Sequence, residues 1–420
     1  MILQLRSVDE LVARSPSIRP DVSETAAAIV DDVRSRGEAA LRAHAERLDG
    51  LECGAPLVIG REEMEYALRA LPPDAAQCLT RVARRILAFA EGQRRSLGTF
   101  EMSIPGGRAG HEVVPVTRAG CYAPGGRYPL PSSVLMTALT ARAAGVPEIW
   151  ITSPHPDPIM LACGAMAGAT GFVRVGGAQA IAAMAFGAGP VPACDVIVGP
   201  GNAFVTAAKR LVVGQVGIDT LAGPSELVVL ADESADPVLV AADLLAQAEH
   251  DPLSVVVLVS LSERLVHEVN QQLERQLSDL PTADVARVAL ENGGAVLVGH
   301  AQEAVVVCNQ LAPEHLQLHV TDPGALRPTL QNYGALFLGG NTAEVLGDYG
   351  AGPNHVLPTG RASRFSGGLS VLSFLRVRTW LQIDDEQAAA GLYEDAAWLA
   401  RREGLHAHAR AAEFRLGRRR

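Results

Sequence analysis

Residues 236–252, DPVLVAADLLAQAEHDP, predict a helix with a polar stripe on an otherwise apolar body. Asp236 can cap it, Pro237 suits its first position and Asp251-Pro252 ends it. Asp243, Gln247 and His250 stand at i, i+4 and i+7 and share one face. Gln247 and His250 can direct an oxygen and a nitrogen at one metal ion, although a solvated helix end would carry the same pair. Three further segments offer partners. Residues 311–319, LAPEHLQLH, put Glu314 beside His315 after a proline-bent turn; residues 347–360 hold Asp348 and His355 in a glycine-rich loop; residues 402–414 hold Glu403, His406 and His408. Nitrogen and oxygen donors without sulfur fit zinc, or manganese or cobalt in its place. A carboxylate next to a histidine fits general acid/base work. Spacing alone does not bring these segments together.

Three glycine-dense loops precede helical segments: YAPGGRYPLPSS (122–133), VGGAQA (175–180) and GPGNAF (199–204). Glycine lets backbone approach a ligand, and a helix N-terminus attracts phosphate. None fits G-x-G-x-x-G, because Phe204 stands where the last glycine of the third belongs. Tight strand-to-helix turns would look the same.

Around these residues the chain alternates. Residues 20–100 read as amphipathic helices, the first capped by Ser23 and stopped by Gly37. From about residue 113, apolar runs at 148–153, 172–176, 195–199, 227–232, 254–261, 295–299 and 335–340 read as strands. Small-residue helices at 132–145, 178–187 and 202–212 lie between them. Strand–helix alternation means βαβ units with parallel sheet, and this many strands suit two sheets better than one. The stretch from about 385 is helical again and ends in RLGRRR.

The whole sequence of 420 residues is long enough for two or three domains, and 48% hydrophobic content excludes a mostly disordered chain. A net charge of −10 and 4% aromatics argue against nucleic acid as main partner. No apolar run approaches a membrane span, the first residues do not read as a secretory signal, and six scattered cysteines read as reduced thiols of a cytoplasmic protein. Among 36 basic residues the only lysine is Lys209, so any Schiff-base chemistry would have to use it.

GCYAPGGRYPLPSSVLM, VGGAQAIAA, GPGNAFVTAAKR, AGPSE, LLAQAEHDP, APEHL, GDYGAGPNHVLPT, FSGGLSV and EGLHAH, in this order, resemble the signature blocks of the histidinol dehydrogenase family over about residues 20–416. The resemblance implies a cytoplasmic zinc-containing homodimer that oxidises L-histidinol to L-histidine with two molecules of NAD, the last step of histidine biosynthesis. It implies zinc ligands at Gln247, His250, Asp348 and His408, one ion per subunit, a water-activating base at Glu314 and an acid/base histidine at His315. Substrate contacts fall at Ser225 and Glu403, joined by Gln247, His250, His315, Asp348 and His408. NAD contacts fall at Tyr122, Gln179 and Asn202, one in each glycine loop. The implied α/β fold has two incomplete Rossmann-like domains: an N-terminal segment 1–16, a first domain 17–121 plus 226–368, an NAD-side domain 122–225, and a tail 369–420 swapped between subunits to complete shared active sites. His406 lies beside the expected ligand, but the EGLxAH spacing favours His408. Arg376 stands where relatives commonly have lysine. Oxidation of another small alcohol, or zinc-dependent hydrolysis with Glu314 as base, are the competing readings.

Overall fold

The computed structural model describes residues 2–13, 19–125 and 129–417. Two compact units emerge, one from the chain up to Gly92 together with Val116–Phe374, the other from Gln93–Pro115 with Leu375–Arg420.

The first unit holds two sheets, as expected, with helices between their strands. One has six strands in the spatial order Val58–Ile59, Gly171–Val173, Glu148–Thr152, Arg118–Tyr122, Val196–Val198, Gly217–Ile218. All its pairings are parallel except that of the short Val58–Ile59 edge. Cys121, Ile151, Phe172 and Ile197 are fully buried, as strands covered on both faces require. After the edge strand Val58–Ile59, the parallel strands start at Arg118–Tyr122, build outward on one side, then return to the other. A topological switch point therefore lies between Arg118–Tyr122 and Val196–Val198, the kind of position at which open parallel sheets bind ligands.

The second sheet is wholly parallel, in the order Gly294–Leu297, Val255–Ser260, Glu226–Ala231, His315–His319, Ala335–Leu338. Its switch point lies between Glu226–Ala231 and His315–His319. The strand His315–His319 is buried throughout although histidine, leucine and glutamine alternate along it. Polar partners on the helix Pro237–Ala248 make that burial possible: Gln317 Nε2 donates to Asp243 Oδ2 at 2.6 Å, and His319 Nε2 lies 3.1 Å from the same oxygen. Asp243 thus faces the sheet rather than solvent.

Local signals act as expected at several ends. Asp236 accepts from Val238 N and Pro237 opens its helix, which stops at Ala248, earlier than the sequence suggests. Gly37 ends Pro20–Arg36 with φ of 59°. Ser23 is not that helix's cap; the helix already starts at Pro20, whose fixed φ suits a first helical position. Strand Arg118–Tyr122 runs through the expected boundary between residues 121 and 122. The helices Pro20–Arg36 and Glu38–Leu48 pack on Gly177–Phe186 and Ala203–Val212 of the six-stranded layer. Near the N-terminus, Leu5 bridges to Ala295 on the edge of the other sheet.

The second unit is a three-stranded antiparallel sheet and two helices. Gly107–Pro115 pairs with Phe100–Ile104 and with the whole of Leu375–Ile383, so the tail takes up a hairpin from far earlier in the chain. Ala390–Arg402 and His406–Gly417 pack against each other. This sheet was not foreseen. Among the described residues no helix is long and apolar enough to cross a membrane.

Candidate active site

Glu226 opens the strand Glu226–Ala231, and Glu314 lies just before His315–His319, so neighbouring strands present both at the amino edge of the sheet. Glu226 N donates to Glu314 Oε2 at 2.9 Å, and Gly360 N donates to Glu226 Oε1 at 2.9 Å. His315 Nδ1 lies 3.2 Å from the Glu226 carbonyl oxygen. A carbonyl only accepts, so Nδ1 carries the hydrogen and Nε2 of the neutral ring keeps its lone pair. Burial lowers the His315 pKa to about 4, which makes the neutral ring the resting form. Nε2 has no hydrogen-bond partner and lies 3.4 Å from Glu344 Oε1.

The helix Pro237–Ala248 runs back from the far end of the sheet and delivers Gln247 and His250 to this edge. Gln247 Nε2 lies 3.1 Å from His250 Nδ1, and His250 Nε2 lies 3.6 Å from Asp348 Oδ2. The backbone oxygen of Asp348 faces His355 Nδ1 at 3.1 Å, and Ser133 Oγ lies 3.4 Å from His355 Nε2. Donor atoms of His315, Glu344 and Asp348 lie within 4.8 Å of one another, a group able to hold a metal ion. Gln247 Oε1 and both Glu344 oxygens are buried without partners. Such orphaned donors are what a bound cation or a polar substrate would satisfy, so the residues fit a metal.

The site is crowded with acids. Burial pushes Glu344 up to about 8, with Asp348 and Asp243 adding repulsion. Glu314 is raised well above its ordinary value by burial and by Glu226, Asp348 and Glu344. Burial raises Glu226 to about 7. A divalent cation or an amine among these groups would favour their ionised forms.

In the six-stranded layer, Tyr122 ends the strand Arg118–Tyr122, Gln179 lies in the first turn of the helix Gly177–Phe186 and Asn202 precedes the helix Ala203–Val212, so all three stand towards the carboxyl ends of strands. Tyr122 Oη accepts from Gly177 N at 3.1 Å, which ties the first loop to the second. Gln179 Nε2 donates to Asp49 Oδ2 at 3.0 Å, and Gly176 N donates to the same oxygen at 3.0 Å. Asn202 is exposed and caps Ala203–Val212 by accepting from Phe204 N and Val205 N. Gly199 has φ of 115°, and a Cβ there would lie 2.1 Å from the Tyr122 carbonyl oxygen. Only glycine allows backbone to close in this far. Backbone packed this closely at a switch point lies where open α/β sheets bind ligands.

The histidinol dehydrogenase family model matches residues 12–416. The chain belongs to this family. Histidinol dehydrogenase of Thermus thermophilus is 46% identical over 405 residues, covering 96% of each chain. That of Bordetella parapertussis is 42% identical over 417 residues, covering 98% of this chain and 94% of the relative. The crystal structure of histidinol dehydrogenase from Elizabethkingia anophelis superposes with a TM-score of 0.93 at 30% identity, covering 99% of this chain and 98% of that one. An acetylating aldehyde dehydrogenase from Geobacillus thermoglucosidasius has a TM-score of 0.51 at 15% identity, covering 89% and 96%, a likeness of fold alone.

Of the residues the histidinol dehydrogenase resemblance singles out, Gln247, His250, Glu314, His315 and Asp348 form one cluster. Ser225 is half-buried beside Glu226. Glu403 and His408 belong to the second unit and are exposed there. Sequence reasoning missed Glu344, Glu226 and Asp49. Glu344 and Asp348 stand four apart, and that helical spacing was the available signal. Glu226 acts partly through its backbone carbonyl, which no side-chain pattern can reveal.

Proposed function

We propose that this protein oxidises L-histidinol to L-histidine through L-histidinaldehyde, passing two hydrides to two molecules of NAD. The reading rests on a family match over nearly the whole chain together with one local observation: a buried neutral His315 with a free Nε2 adjoining a buried Glu314.

His315 takes the alcohol proton at Nε2 as the first hydride leaves the substrate carbon. The Glu226 carbonyl supports the imidazolium by accepting from Nδ1–H. Glu314, once deprotonated, removes a proton from the water that adds to the aldehyde while His315 returns its proton to the carbonyl oxygen; the ring then takes the hydrate's hydroxyl proton as the second hydride leaves the same carbon. Neither step needs a cysteine or lysine nucleophile. NAD supplies the hydride acceptor, and the Tyr122, Gln179 and Asn202 loops are its proposed seat. Gln247, His250 and Asp348, with His408 of the tail, would hold a zinc ion whose chemistry there is to seat the imidazole and amine of histidinol. We propose a homodimer in which the tail completes the partner's site.

The test is the NADH yield per histidinol consumed. Two NADH with L-histidine as product are expected. A yield of one with aldehyde accumulating would confine the activity to an alcohol oxidation, and turnover without NAD would favour hydrolysis.

A further inference from the structure

The one lysine of the chain is consumed inside the fold. Lys209 lies in the helix Ala203–Val212, and its side chain and that of Asp219 are each only 2% exposed. The two side chains form an ion pair. Lys209 Nζ also donates to the Gly199 carbonyl oxygen at 2.9 Å, and Asp219 Oδ2 accepts from Gly199 N at 2.7 Å. Both polar groups of one backbone residue are thus gripped by one buried ion pair.

That residue is the tightest point of the third glycine loop. It presses on the carbonyl of Tyr122 at the end of the central strand, and it opens the turn that leads to Asn202. Burying an ion pair is a weak route to stability, because desolvation cancels much of the attraction. What the pair provides is direction. An ammonium that donates to the carbonyl and a carboxylate that accepts from the amide fix the peptide plane on each side of Gly199. We propose that Lys209 and Asp219 are positioning residues for the cofactor, a clasp that holds the Gly199–Asn202 turn in its receiving conformation. The inference rests on the reading that this turn receives NAD.

The test compares wild type with the Lys209→Met/Asp219→Asn double variant, which removes both charges while keeping side-chain size. NADH and L-histidinol binding are measured separately by calorimetry, and thermal unfolding is followed alongside. A clasp predicts NADH binding weakened at least ~10-fold, L-histidinol binding within about twofold, and a raised KM for NAD with kcat largely kept. Unchanged NADH affinity in the folded variant overturns the clasp. So does a parallel loss of both affinities, the mark of a merely structural pair. Should the double variant not fold, Asp219→Asn alone, which keeps one acceptor oxygen, decides by the same comparison. Hydrogen exchange of the segment 196–205 in wild type separates the underlying reading. If NADH adds no protection there, the turn is not the cofactor's seat and the clasp's role falls with it. If it adds protection while the variant binds NADH normally, only the clasp is overturned.

Discussion

Glu314 and His315 are adjacent in sequence, yet burial shifts their proton affinities in opposite directions, which suits the different proton tasks proposed for them. His315 is held neutral with its lone pair on Nε2, ready to accept at once. Glu314 is held well above its ordinary carboxylate range by burial and by the neighbouring acids, and positive charge entering the acidic site would favour its ionised form. In single-turnover experiments with excess NAD, Glu314→Gln is expected to give the first NADH at near the wild-type rate and the second ~10²- to 10⁴-fold slower. His315→Asn should slow both. Release of both NADH at the wild-type ratio of rates by Glu314→Gln would remove Glu314 from the water step. Glu226 offers a separate test by stability. Its pKa rises from the ordinary 4.5 to about 7 on folding, so its stabilising proton is fully present below pH ~4.5 and is lost as pH rises through about 7. The shift is worth at most ~3 kcal/mol, and partial solvent contact lowers that figure. Glu226→Gln should therefore gain stability relative to wild type as pH climbs across that window, by thermal unfolding. A constant difference between the two at pH 4 and pH 8 would contradict the shift.

At the scale of elements, the helix Pro237–Ala248 does two jobs. Its start is a surface cap, and its middle plugs a polar face of the sheet. Asp236→Ala should cost ~1 kcal/mol, the usual worth of a cap. Asp243→Ala would leave Gln317 Nε2 with only the Thr342 carbonyl and strip His319 Nε2 of its buried acceptor, and is expected to cost ~2–4 kcal/mol. Urea titrations of both variants make the comparison. A cost for Asp243→Ala no larger than that for Asp236→Ala would mean the inward network adds little. The same helix shows what could be read in advance. Runs such as residues 255–260 and 335–338 announced strands because they are almost entirely apolar; the first is buried on both faces. His315–His319 did not, because its alternating polar residues mimic a solvated edge, and partners from other elements, Asp243 above all, make their burial tolerable. The antiparallel sheet of the second unit escaped for a related reason. Its two outer strands are mostly exposed and the central one only partly buried, so composition gave no apolar run to follow. The five clustered residues stood out as candidates because metal donors and acid/base pairs are chemically distinctive types, but only the family resemblance joined them into one proposed site. Asp49, Lys209 and Asp219 were not, because they serve backbone groups whose position is known only once the chain is folded.

For the whole molecule the question is where the tail unit works. It leaves the large apolar side chains of Val377, Leu381, Trp398 and Phe414 exposed in the single chain. It also carries Glu403 and His408, which the family resemblance assigns to the site. Both facts suit a symmetric dimer in which each tail serves the other subunit. Complementation decides this. His315→Asn and His408→Ala subunits are each expected to be inactive as homodimers. Unfolded together and refolded in equal amounts, they pair at random, and half the dimers are mixed. If His408 acts in trans, each mixed dimer holds one site with both defects and one with neither, so about a quarter of wild-type activity returns. If His408 serves its own chain, every site in every dimer carries one defect, and the mixture stays dead. Intact-mass measurement of the dimers verifies that mixed species formed, so that silence from a mixture containing them rejects the shared site.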